Sequence, residues 1–228
     1  MTAPVVEAVG TPQLASAVVT MAVNPVAGIV DGELLLIFGF CDEEDDLTIA
    51  EAGWTRRAYQ QAISGSDTAS AVWSKIAASE AGNYTMNIDT VTTRVLRANM
   101  IRISGFDETD DGMDATPTGV DTGANSDTHA TPAIDTVTAD ALVLSYLGLQ
   151  QVTGGDRTPP IGYTELFDAG SLTAICLASK TVSTPSTETP GPWSGCGVGA
   201  DGGGITLAIR PVSAVVNTDI EVPTGPLR

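Results

Sequence analysis

Hydrophobic and polar residues alternate along this chain in short runs, seldom with helical spacing. Tyr84, Met86 and Ile88 alternate with Asn83, Thr85 and Asn87, and Ile205, Leu207 and Ile209 alternate with Thr206, Ala208 and Arg210. A period of two sends successive side chains to opposite faces, so both segments read as half-buried β-strands. The runs at 34–38 and 142–147 are apolar at almost every position. A strand of that kind is buried on both faces, which predicts two central strands. Residues 56–63 and 75–82 are the stretches that admit a turn or two of helix, and neither carries a convincing apolar stripe. Loops rich in Asp, Thr, Gly and Pro fill 107–133 and 183–204. Such punctuation between short strands predicts a sandwich or barrel.

The pattern occurs twice. Gly32 to Phe40 reads GELLLIFGF and is followed by Gly53-Trp54-Thr55, while Ala139 to Leu149 reads ADALVLSYLGL and is followed by Gly162-Tyr163-Thr164. Gly39 and Gly148, Gly53 and Gly162, and Tyr84 and Trp193 each stand 109 residues apart. Each copy also contains Ser-Lys (Ser74-Lys75, Ser179-Lys180) and closes on an aliphatic run, Met100 to Ile103 or Ile205 to Ile209. A half with roughly four strands leaves an apolar face uncovered. The halves, about 32–105 and 139–212, therefore predict one domain over 22–212. Residues 1–21 form an N-terminal segment in which Val5, Val6 and Val9 offer an edge strand, and 213–228, with Pro223 and Pro226, form a tail.

Composition narrows the function classes. The net charge is −18 and the pI about 4.1, with no Lys or Arg between Ile103 and Asp156. This disfavours nucleic acid and anionic membranes, both of which attract cations. No run of 18 apolar residues predicts a membrane-spanning helix. The N-terminus lacks a basic region followed by an apolar stretch, so no signal peptide is expected and synthesis is placed in a reducing cytoplasm. Cys41, Cys176 and Cys196 are odd in number and lack CxxC spacing, so they read as free thiols, with Cys176 as a small buried hydrophobe.

Candidate chemistry is thin. His129 is the sole histidine, so any Ser-His-Asp or Cys-His arrangement must use it, yet it lies in a Thr/Ala/Pro/Asp-rich loop and reads as a solvated side chain. Asp107, Asp110, Asp111 and Asp114 invite a calcium reading but fail the EF-hand spacing, and a solvated turn accounts for them. The acid run Asp42 to Asp46 reads as a solvated loop projecting from one end of the sandwich, with a basic patch on a partner as the alternative. Trp54 and Tyr163 hold matching places in the repeat, as do Tyr84 and Trp193. Trp73 lies among Ala71, Val72 and Ile76, so all five aromatics read as packing residues. Gly195 to Gly204 lacks GxxxxGK and precedes a strand, so it reads as a long flexible hairpin connection. No catalytic, cofactor-binding or metal-binding residue is assigned, and the chain is not expected to be an enzyme.

Several turn and core motifs together resemble a known family. They are Pro25 to Leu35 (PVAGIVDGELL), Ala52-Gly53-Trp54-Thr55, Ser104-Gly105-Phe106-Asp107, Ala139 to Leu144 (ADALVL), Pro159 to Thr164 (PPIGYT) and the closing Leu207 to Pro211 (LAIRP). Over about residues 22 to 212 the chain resembles the jelly-roll-like β-sandwich domains of tailed-phage virion proteins, found as head decoration proteins, as tail-fibre modules and in related bacterial surface proteins. The acid-heavy loop at 42–46 departs from that pattern. The resemblance implies an all-β fold, a jelly-roll-like antiparallel β-sandwich made of two related halves. It implies a bacteriophage structural protein, a capsid decoration (cement) protein of the virion, assembled in the host cytoplasm. Its expected partners are the major capsid protein or other virion proteins, and its own copies in a homo-oligomer, with a trimer favoured. The alternative expectation is a tail-fibre, spike or baseplate component with receptor or carbohydrate binding.

Overall fold

The computed structural model describes residues 2–63, 67–123, 126–153 and 155–213. The first half runs through β1 (Val5–Val9), β2 (Gln13–Val18), β3 (Thr20–Val23), β4 (Leu34–Cys41), β5 (Leu47–Ile49), β6 (Thr55–Ala62), β7 (Thr68–Ile76), β8 (Tyr84–Ile88) and β9 (Arg94–Ser104). A 3₁₀ turn at Thr109–Gly112 leads to the second half. There follow β10 (Met113–Asp121), β11 (Thr128–His129), β12 (Ile134–Asp135), β13 (Ala141–Gln150), β14 (Thr164–Ala169), β15 (Thr173–Val182), β16 (Thr187–Glu188), β17 (Trp193–Ser194) and β18 (Asp201–Ile209). Among the described residues there is no α-helix, and the chain is an all-β sandwich. Both stretches that admitted helix are otherwise: Thr55–Ala62 is strand paired to β7, and 75–82 ends β7 and turns. Pairing with β7 outweighs the helix propensity of Arg, Gln and Ala in that segment.

One large sheet has the order β1-β9-β4-β7-β6, with β2 also on β9, and the other has the order β10-β18-β13-β15-β14. The orders correspond strand for strand, β4 to β13, β6 to β14, β7 to β15 and β9 to β18. β1 and β2 form one interrupted edge: β1 pairs with Ile101–Ser104 and β2 with Arg94–Ala98. Gly10 lies at the join, where a Cβ would stand 2.9 Å from the Met100 carbonyl oxygen. The N-terminal segment thus belongs to the sheet from Val5 onward, well before residue 22. The tail 214–228 lies outside the described residues.

Each large sheet also has an outer cover, β3-β8-β5 on the first and the pairs β11-β17 and β12-β16 on the second. In the first half, successive strands alternate between β2-β9-β4-β7 in one layer and β3-β8-β5 in the other, as in a jelly roll, with β6 joined to β7. The expectation that a half cannot cover its own apolar face therefore fails on the outer side and holds on the inner one. Leu34, Leu36, Phe38 and Phe40 of β4 meet Leu142, Leu144 and Tyr146 of β13 in a core shared by the two sheets. The odd-numbered Leu35, Ile37 and Cys41 pack under the first cover, and Val143, Leu147 and Leu149 under the second. Burial on both faces is why these two runs show no alternation, and both are central strands.

The 109-residue offset holds in the turns and fails on the central strands. Inward residues are even-numbered in both β4 and β13, so an odd offset matches opposite faces. Gly39 faces the first cover, where a Cβ would stand 2.6 Å from Met86 Sδ, whereas Gly148 faces the shared core, where it would stand 2.6 Å from a Phe40 ring carbon. They are not counterparts. Lys75 and Lys180 are, lying opposite Leu35 and Val143. Gly53 and Gly162 are also counterparts, with φ of 89° and 84° in the turns before β6 and β14.

Candidate functional site

Under each cover a lysine, a glutamate and a tyrosine meet. Lys75, near the end of β7, lies 2.7 Å from Glu80 Oε1, and the Tyr84 hydroxyl donates to Glu80 Oε2 at 2.8 Å. Lys180, near the end of β15, donates to Glu188 at 2.8 Å, and the Tyr163 hydroxyl donates to the same carboxylate at 3.2 Å. Each ammonium also sits over its tyrosine ring, at 6.0 and 5.7 Å. The tyrosine comes from the cover strand in the first half and from the Gly-aromatic turn in the second. Tryptophan holds the other place in each half, Trp54 and Trp193. Trp54 packs edge-on against Tyr84, 5.0 Å between ring centres.

Burial pushes the Glu80 carboxyl up, but donors on Lys75, Tyr84 and the Ala78 N–H outweigh it and leave it below its ordinary value. Burial and then the neighbouring carboxylate push both tyrosine hydroxyls up, so they stay protonated donors. A carboxylate satisfied by three donors is a fastener: it ties the end of a sheet strand to the cover. The sequence showed the Ser-Lys pairs and the aromatics but not the glutamates, which follow their lysines at unequal spacings, Glu80 in a turn and Glu188 in β16.

A second cluster fills the side of the sandwich where β6 lies against β10. A cleft of about 480 Å³ there is lined by Arg56, Arg57, Arg210, Asp110 and Asp114, among others. Arg57 Nη2 stands 2.5 Å from Asp111 Oδ2, and Arg210 Nη1 stands 3.2 Å from Asp110 Oδ2. Asp114 is buried and accepts from the Val137 N–H at 2.8 Å and the Thr138 hydroxyl at 2.5 Å. Asp107 accepts from the Thr109 N–H at 2.9 Å. The acids that invited a calcium reading thus turn to donors of the chain itself, Asp107 to Thr109, Asp111 to Arg57, and Asp110 and Asp114 to either side of Arg210, at 3.2 and 3.8 Å. Asp110 and Asp111, at φ of 51° and 54°, turn two arginines into a clasp between the halves.

The acid run is tied back rather than projecting free. Asp45 Oδ2 stands 2.5 Å from Arg94 Nε, Asp46 pairs with Arg56, and Asp42 accepts from the Val95 N–H at 2.8 Å. His129 is buried, contrary to the solvated reading. Its Nε2 faces the Ser126 carbonyl at 3.0 Å, and its Nδ1 lies 2.8 Å from the Thr122 hydroxyl. Its place on β11, which pairs with β17 as part of the second cover, accounts for this, and burial lowers its pKa. All three cysteines are buried free thiols; burial pushes Cys41 and Cys196 up to about 12 and Cys176 well above its ordinary value.

The glycine stretch is not wholly a connection, because Gly202, Gly203 and Gly204 lie inside β18. A Cβ on Gly204 would stand 2.7 Å from the Ala130 carbonyl oxygen, so glycine lets the cover come close. Trp73 and Trp193 are buried, and Trp54 is partly so. Comparison with protein-family models, curated proteins and solved structures found no match. The arrangement is chemically one of fastening, by donor-saturated carboxylates and arginine forks.

Proposed function

We propose that the chain is a structural protein of a tailed-phage particle, a decoration protein that binds the major capsid protein and stabilises the capsid lattice by adhesion. The observation that carries this reading is that the motifs of the family resemblance sit at the structural joints of a doubled jelly-roll-like sandwich. Gly53 and Gly162 make the left-handed turns, Leu34 and Leu142 open the shared core, and Leu207 and Ile209 close it. Charge supports it as well. Eight of the nine described Lys and Arg side chains are engaged by carboxylates of the same chain, which leaves the acid excess to the surface. Such a surface resists indiscriminate sticking at high local density and selects a partner with cationic patches. Binding only to the assembled lattice stabilises it by mass action. No tryptophan offers an exposed stacking platform, so no observation favours the receptor- or sugar-binding alternative.

The test is to mix the purified chain with particles lacking it and count bound copies. Hundreds of copies and raised resistance of the particle to heat are expected; a handful of copies, or none, sinks the reading. Ending the chain at Ser213 is expected to leave the unfolding temperature unchanged and lower occupancy at least about tenfold.

A further inference from the structure

Arg97, on β9, is the one described Lys or Arg that meets no carboxylate. Its Nε donates to Thr173 Oγ1 at 2.8 Å. The charge beside it is a second cation. Arg157, in the segment before β14, donates from Nη2 to the Gly170 carbonyl at 2.8 Å. The Arg97 guanidinium packs on the same glycine, where a Cβ would stand 2.7 Å from Cζ and 2.8 Å from Nη2. Two guanidinium groups, one from each half of the sandwich, therefore converge on one residue. Burial and then Arg157 hold the Arg97 pKa below its ordinary value.

Asp168 does not relieve this pair. Its Oδ1 accepts from Arg157 Nε at 2.6 Å and from the Cys176 thiol at 3.3 Å, and its Oδ2 accepts from the Arg157 N–H at 2.6 Å. The carboxylate neutralises Arg157 and leaves the charge of Arg97 whole. Arg157 is itself incompletely bonded. Its side chain is 3% exposed, yet Nη1 is buried with no hydrogen-bond partner. Folded proteins rarely leave a buried donor without an acceptor, because its lost hydration is then uncompensated. Thr173 Oγ1, which accepts from Arg97, still has its own proton to donate. The chain carries 28 acids and, among the described residues, brings none but Asp168 to this pair.

We infer that Arg97 and Arg157 form a binding site for a small inorganic oxyanion of the phosphate or sulfate class, which bridges β9 of the first half to the β14–β15 turn of the second. A guanidinium presents paired N–H groups that match the oxygens of such an ion. The ion supplies the missing countercharge for Arg97 and an acceptor for the donors that the chain leaves unpaired. Arg97 is half-buried, so the ion reaches it from solvent while Arg157 forms the inner wall. The net charge of −18 opposes the approach of any anion, which sets the affinity in the millimolar range. The inference stands whether or not the chain decorates a particle.

Titration of the isotope-labelled full chain with inorganic phosphate, against sodium chloride at matched ionic strength and pH, tests it through the arginine Nε–H signals in nuclear magnetic resonance. The signals of Arg97 and Arg157 are expected to shift saturably with phosphate, at half-saturation of about 0.1–10 mM. Those of Arg56 and Arg102, paired with Asp46 and Glu33, are expected to follow the chloride curve. Arg97→Gln is expected to weaken binding at least about tenfold, and so is Arg157→Lys, which keeps the charge and loses the fork. Arg56→Gln is the control and is expected to bind phosphate like wild type. Phosphate is also expected to raise the unfolding temperature of wild type more than that of Arg97→Gln, which feels only the general salting-out effect. Should Arg157→Lys fail to fold, Arg97→Gln, at a half-buried position, decides alone. Wild-type signals that do not distinguish phosphate from chloride overturn the inference. So does a folded Arg97→Gln that binds phosphate like wild type. Particle binding is read separately, so either proposal can fall alone.

Discussion

His129 is held neutral by its surroundings. Burial disfavours the imidazolium, so the folded-state pKa lies below the ordinary 6.5. As pH falls through that ordinary value the unfolded chain takes up a proton that the folded chain refuses. The stability that His129 contributes is therefore complete above 6.5 and is lost as pH falls from there toward the folded-state value. Urea midpoints at several pH values are expected to decline below 6.5 more steeply for wild type than for His129→Asn; matching curves would place the imidazole in water. Tryptophans divide by the same reasoning. Trp193 is fully buried and donates from Nε1 to Ser145 Oγ at 3.0 Å, so Trp193→Ala is expected to cost about 3–5 kcal/mol. Trp54, only partly buried, is expected to cost less when replaced by Ala, roughly 1–3 kcal/mol by denaturant unfolding. The core reading made for both positions in the sequence fits Trp193 better, because a repeat matches places and not degrees of burial.

At the scale of strands, the period-two and continuous apolar patterns were enough to find the central strands, the half-buried β8 and the closing β18. They were not enough to set register. Gly39 and Gly148 look equivalent in sequence and face opposite ways, since the loops and bulges that adjust register have no hydrophobic signature. Gly148→Ala would bring a Cβ within 2.4 Å of Ser70 Oγ and 2.6 Å of the Phe40 ring, deep in the shared core. A loss of about 1–3 kcal/mol is expected, and a neutral result would mean that the sheets separate easily. The Lys-Glu-Tyr fasteners were invisible for a related reason, as their glutamates follow the lysines at unequal spacings, Glu80 in a turn and Glu188 in β16. Glu80 has a lowered pKa, so its contribution is present above the ordinary carboxylate value and lost as pH falls through the lowered one. Glu80→Gln is expected to flatten the acid limb of the stability curve and to leave midpoints on the alkaline side of pH 7 shifted by a constant amount.

For the whole molecule, the decisive question is which of the three cores makes the two halves one body. Each half has an outer core under its own cover, sealed by its own fastener. Neither half can hide the inner face of its large sheet, which carries Phe38 and Phe40 on one side and Tyr146 and Phe167 on the other. The Tyr146 hydroxyl crosses this core to donate to the Gly39 carbonyl at 2.9 Å, and Phe38 stacks at 5.1 Å from Tyr146. Where β6 lies against β10, the clasp of Arg57 with Asp111 and Arg210 with Asp110 pins the 3₁₀ turn that joins the halves. An exposed apolar face of this size drives association or aggregation. Residues 1–107 and 113–213 produced as separate chains are therefore expected to bind a hydrophobic dye strongly when alone. On mixing they are expected to release it and recover the protected Tyr146. If each fragment instead unfolds cooperatively and binds no dye, the shared core is dispensable, and the two copies of the pattern are neighbours rather than parts of a common interior.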